Sequence, residues 1–116
     1  MKRVSALWRL HPVGLSAALL LAAPLVQADD AAQFALGRKL FNESAVPACA
    51  LCHTLKDAGS SGAIGPVLDE IKPDTGRVAR ALRNGLGQMP AYAPALSEAQ
   101  IAALALYVSK ASGGAP

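Results

Sequence analysis

Only two cysteines occur in the 116-residue chain, three positions apart at Cys49 and Cys52. A disulfide across two intervening residues closes a tiny loop and does little for a fold, so a disulfide framework is excluded. The hydrophobic runs are short as well. The longest, Val13–Leu25, falls below the ~20 residues a spanning helix needs, and Pro24 lies near its end. Internal repeats and strand-like alternation are also missing, which leaves an all-α domain as the expected fold class.

The apolar run belongs to a three-part pattern. Lys2, Arg3 and Arg9 precede it, and Val26-Gln27-Ala28 follows with small residues where a signal peptidase reads. This is the layout of a secretory signal over 1–28, with an uncleaved membrane anchor as the alternative. The mature domain expected is 29–116, in the periplasm, with no stable membrane anchor. Three of the 11 basic residues and none of the eight acidic ones lie in the signal, so cleavage leaves a formally neutral domain. A nucleic-acid partner wants a basic excess on the folded part, and none remains. A domain this small has a marginal core and commonly relies on a metal or cofactor.

What the mature segment does contain is Cys49-Ala50-Leu51-Cys52-His53. Two thiols at this spacing with an imidazole directly after the second form the c-type haem attachment pattern. Each cysteine would form a thioether to the porphyrin, and His53 would bind the iron. A thioredoxin-like pair needs a βαβ context, which is lacking. A structural zinc site wants four ligands, and the Cys and His of 29–116 number only Cys49, Cys52 and His53. The cofactor expected is therefore one covalent haem c.

Met89 is the single methionine of 29–116 and thus the candidate sixth ligand, with an open site for gas or a small ligand as the alternative. It lies in Gly85–Pro94, which has two glycines and two prolines and excludes regular structure. Pro66 is the candidate partner of His53, because a metal-bound imidazole donates its other N–H to a carbonyl. The competing reading of Pro66 is a plain turn proline. Arg77, Arg80 and Arg83 read as a solvated face, a propionate clamp or a docking patch, with Lys56 and Lys72 adding to a positive rim. Leu68, Leu82, Leu86 and Leu96 are expected to wall the pocket.

Helices are expected over Ala31–Phe41, Cys49–Leu55, one turn at Asp69–Ile71, Thr75–Gly85 capped by Asp74 or Thr75, and a last helix opened by the capping box Ser97-Glu98-Ala99-Gln100. Asp29 and Asp30 are placed at the start of the first, where negative charge suits the helix dipole. Gly37 reads as a helix-crossing point, since glycine in mid-helix costs roughly 1 kcal/mol against alanine. Tyr107 is a candidate to pack there.

These residues together resemble a small class I monohaem cytochrome c: the Gly37/Phe41 helix, the Cys49–His53 motif, Gly65-Pro66-Val67-Leu68, Met89-Pro90 and a terminal helix with Tyr107. The resemblance implies crossing first and last helices, an apolar haem pocket, His53 and Met89 as axial ligands, and a Pro66 carbonyl orienting His53. A narrower resemblance, carried by Ala-Cys-Ala-Leu-Cys-His-Thr-Leu, Gly-Ala-Ile-Gly-Pro-Val-Leu-Asp-Glu and Arg-Asn-Gly-Leu-Gly-Gln-Met-Pro, is to the cytochrome subunit of bacterial sulfite dehydrogenases. It implies an electron carrier, not an enzyme on its own, served by a molybdenum-containing catalytic subunit. The other readings are a free shuttle between a dehydrogenase and a terminal oxidase, and a haem-based sensor with an open sixth site.

Overall fold

The computed structural model describes residues 24–116, with side chains from Asp29 onward. The expected basic n-region and most of the apolar run of the signal lie outside the described residues. The fold is mainly helical: α1 (Pro24–Lys39), α2 (Leu68–Ile71), α3 (Thr75–Asn84) and α4 (Glu98–Ser112).

α1 starts before the expected Ala31, so Asp29 and Asp30 sit inside the helix and not at its N-terminus. Asp30 instead meets Lys110 of α4, with 3.1 Å between carboxylate and ammonium. After Lys39 the chain makes one wide turn, Leu40–Ser44, closed by Ala45 N–H donating to the Leu40 carbonyl at 3.1 Å. The extra residue in that turn lets Leu40, Phe41 and Ala45 all enter the core.

α1 crosses α4 at Gly37, which is buried. A Cβ there would collide with the Ala103 carbonyl oxygen and lie 2.5 Å from Tyr107 Cβ. Tyr107 is wholly buried and receives Phe34 and Phe41 edge-on, with ring centroids 4.9 and 5.8 Å away. Its hydroxyl donates to Asp57 Oδ2 at 2.8 Å. Burial, then this hydrogen bond, holds its titration well above the ordinary phenol range.

Both ends of α4 are chemically defined. Ser97 Oγ accepts from Gln100 N–H at 3.2 Å and Gln100 Oε1 accepts from Ser97 N–H at 2.9 Å, completing the expected capping box. Gly113 ends the helix at φ 83°, and Gly114 N–H donates to the Ser109 carbonyl at 2.7 Å.

α3 packs on α4 through the buried Val78 and Leu82. Of the two cap candidates the structure selects Asp74, whose Oδ1 accepts from Arg77 N–H at 2.7 Å. Asp74→Ala should cost about 1 kcal/mol of folding free energy, read from the denaturant midpoint at unchanged slope.

The expected helix over Cys49–Leu55 is corrected. Only Cys49–Leu51 is helical, as a single tight turn. Thr54–Leu55 then forms β1, paired antiparallel with β2 (Ser60–Ser61), so the class is helical with one minimal ladder. The loop takes the carbonyls a helix would need: Cys52 O accepts from Gly65 N–H at 2.7 Å, and His53 O accepts from Ser60 Oγ at 2.8 Å.

Candidate haem centre

A cavity of about 610 Å³ lies between the Cys49–His53 arm, the Ile64–Leu68 segment, α3 and the Gly85–Tyr92 arm. Cys49, Cys52, His53, Pro66 and Met89 all line it. The fold thus brings every sequence-predicted site residue to one place.

Cys49 is buried and Cys52 half-buried, both as free thiols. Burial pushes the Cys49 thiol up to about 11. The motif is anchored by its own backbone, with Cys52 N–H and His53 N–H both donating to the Cys49 carbonyl at 3.1 and 2.9 Å.

His53 Nδ1 lies 2.8 Å from the Pro66 carbonyl oxygen. A carbonyl only accepts, so Nδ1 carries a proton, and in the neutral ring Nε2 is then the nitrogen left with a lone pair. The ring rests on Gly65, where a Cβ would stand 2.5 Å from His53 Cε1. Gly62 does the same for the motif backbone, where a Cβ would lie 2.6 Å from the Cys52 carbonyl carbon. Only the fold shows that Gly62 supports the attachment segment.

Met89 is carried on a turn in which Leu86 and Met89 exchange two backbone hydrogen bonds, each 3.0 Å. Gly85 and Gly87 supply the positive φ values, 72° and 58°, that reverse the chain there. Met89 is half-buried, packing on the core from one side and lining the cavity from the other.

Leu68 and Leu82 are buried walls, and Leu86 lines the mouth while 70% exposed. Leu96 is corrected: it is buried in the core but does not line the cavity. Its place on the cavity wall is taken by Leu104 and Val108 of α4, together with Phe41. Tyr92 was also missed. It is buried, lines the cavity, and burial followed by the charge of the nearby thiolates pushes its hydroxyl up to about 12. An aromatic three residues after Met89 in a glycine- and proline-rich loop is the signal that was there to use.

The three arginines divide. Arg77 and Arg80 line the cavity. Arg83 turns away and pairs with Glu98 at 2.7 Å across the α3–α4 junction, both side chains being exposed. That bond raises the guanidinium titration and lowers the carboxyl one. Lys56 and Lys72 lie off the cavity: the Lys56 N–H is bound to Asp69 Oδ2 at 2.8 Å, and Lys72 ends α2 at φ 42°.

The residues fit a covalently held haem. Two free thiols, an imidazole with its Nδ1 proton already engaged and a thioether share one largely apolar cavity, and Gly65 leaves the imidazole room no Cβ would allow. Among the described residues no cluster of three or more His, Cys, Asp or Glu side chains is placed to hold a bare metal ion.

A family model described as cytochrome c oxidase, cbb3-type, subunit III, matches residues 32–108. The curated proteins compared with the chain gave no match. A solved structure, the c-type cytochrome SorU from Sinorhizobium meliloti, is 52% identical with a TM-score of 0.69, covering 73% of this chain and 97% of that one.

Proposed function

Since the chain belongs to the c-type cytochrome family that these matches define, carrying electrons on one covalent haem c, we propose that it works in the periplasm with His53 and Met89 as axial ligands and receives electrons from a sulfite dehydrogenase. The observation that carries the ligand assignment is the shared cavity. Among the described residues His53 is the only imidazole and Met89 the only thioether, and both line it.

The haem, when bound, supplies one-electron Fe(III)/Fe(II) chemistry. Cys49 and Cys52 hold it by thioethers. His53 offers Nε2 while the Pro66 carbonyl, accepting from Nδ1–H, fixes the ring and raises its basicity. Met89 offers a soft sulfur, and a His/Met pair raises the potential. Leu68, Leu82 and Val108 keep water out. Arg77 and Arg80 line the cavity and would be available to pair with the propionates. With His53 and Met89 both holding the iron, the chain would offer no site for substrate and would act as a carrier alone.

The sulfite assignment is supported by the three phrases around Cys49, Pro66 and Met89. Residues 1–28 are the proposed export signal and 29–116 the mature domain. Among the described residues no helix is long and apolar enough to cross a membrane.

Two measurements test this. The intact mass of protein isolated from the periplasm should correspond to residues 29–116 plus one haem, and a mature mass without haem overturns the site. A molybdenum-containing sulfite dehydrogenase, given sulfite, should reduce the cytochrome rapidly. Reduction by other dehydrogenases but not by this one would favour the free shuttle.

A further inference from the structure

Tyr92 is bound at every polar atom it has. Its N–H donates to the Leu82 carbonyl at 2.7 Å, and its own carbonyl accepts from Ala95 and Leu96 N–H at 2.9 and 2.8 Å. The remaining atom, the phenolic oxygen, reaches across 45 positions of sequence and donates to the Pro47 carbonyl at 2.7 Å. Tyr92 is three residues after Met89, and Pro47 is two residues before Cys49. The hydroxyl therefore ties the arm carrying the thioether to the arm carrying the first attachment cysteine.

The rest of the Met89 arm is held less firmly. Its turn bonds to itself through Leu86 and Met89. Gly85 and Gly87 give it backbone freedom, and Gln88, Pro90 and Ala91 are exposed. Backbone hydrogen bonds anchor the arm at both ends, to Ala81 through Gly85 and to Leu82 through Tyr92, all on the α3 side. The bond to Pro47 reaches the other side of the cavity. The phenol ring fills the gap, being 5% exposed.

We propose that Tyr92 is a positioning residue for the sixth ligand: through its bond to Pro47 it sets the separation of the two arms and keeps Met89 from swinging away from the iron. This rests on the reading of Met89 as a ligand. Loss of the hydroxyl leaves ring packing in place and removes only the tether. The net worth of one such hydrogen bond converts to about a three- to tenfold rise in the population of arm-open molecules. A ligand competing with the thioether gains affinity by the same factor, because apparent affinity scales with the competent fraction.

The test compares the haem-loaded wild type, Y92F and M89A. The probes are imidazole for the ferric protein and carbon monoxide for the ferrous protein, read with the far-red absorption of thioether-bound ferric haem and the thermal midpoints. Y92F is expected to keep the far-red band, bind imidazole about three- to tenfold more tightly and take up carbon monoxide correspondingly faster. If the wild type has the band and Y92F matches it in both affinities, the tether is overturned while Met89 ligation stands. A Y92F that melts lower yet binds both probes as the wild type does has lost a structural contact only, which equally overturns the positioning role. If wild type and M89A share one spectrum with no band, the ligand reading fails and the tether falls with it.

Discussion

Gly37→Val is expected to cost about 3 kcal/mol or more of folding free energy. Helix propensity alone predicts the reverse sign for the smaller change, Gly37→Ala, which should gain roughly 1 kcal/mol in a free helix. The crossing decides otherwise. The added Cβ would collide with the Ala103 carbonyl oxygen and stand 2.5 Å from Tyr107 Cβ, and neither is the far end of a flexible side chain. α1 must then move off α4, which loosens the contacts of Tyr107 with Phe34 and Phe41. A small domain holds only about 5–15 kcal/mol in total, so valine should lower the melting temperature by 10 °C or more on the order-of-magnitude scale of such domains. Alanine should fall between wild type and valine. A thermal midpoint of Gly37→Ala above the wild type would show that the helices separate freely there and would refute the crossing as a constraint.

Met89→Ala is expected to change the haem site from closed to open. The far-red band of the ferric protein should disappear completely, the potential should fall, and carbon monoxide should bind the ferrous form without a ligand to displace. Folding should be affected less, because Met89 is half-buried in a turn held by backbone hydrogen bonds that alanine keeps. Met89→Leu separates the two contributions, restoring the packing but not the sulfur. A spectrum unchanged in Met89→Ala would mean that another group occupies the sixth position or that none does, and the sensor reading would gain.

Much of the fold was legible because its signals are local. The capping box at Ser97 and Gln100 needs only four residues to be recognised, and it forms as written. Asp74 ahead of an amphipathic run works in the same way. Gly37 was legible for a different reason: a glycine that local energetics disfavours has to be explained by a neighbour, and Ala103 and Tyr107 are that neighbour. The candidate site was legible by scarcity: few residues in 29–116 have haem-ligating chemistry, and the fold brings them to one cavity.

The misses share one cause. Cys49–Leu55 has no helix breaker, so local preference gives a helix. Gly65 and Ser60, arriving from the loop, take the Cys52 and His53 carbonyls and end it after one turn. Leu96 has the same hydrophobicity as Leu82, yet one is core and the other wall. The three arginines are evenly spaced on one helix, but Glu98 of α4 draws off Arg83 alone.

The sequence by itself determined the attachment pattern, the small set of groups able to ligate iron, the capped helices and the place of the crossing. Those properties depend on residue chemistry and on neighbours within a few positions. Tertiary structure decided between the two readings of Pro66 by setting its carbonyl 2.8 Å from His53 Nδ1, and it alone decided which leucines face the cavity and that Tyr92 bridges to Pro47. Both hydrogen bonds join segments 13 or more positions apart, where direction and distance come from packing.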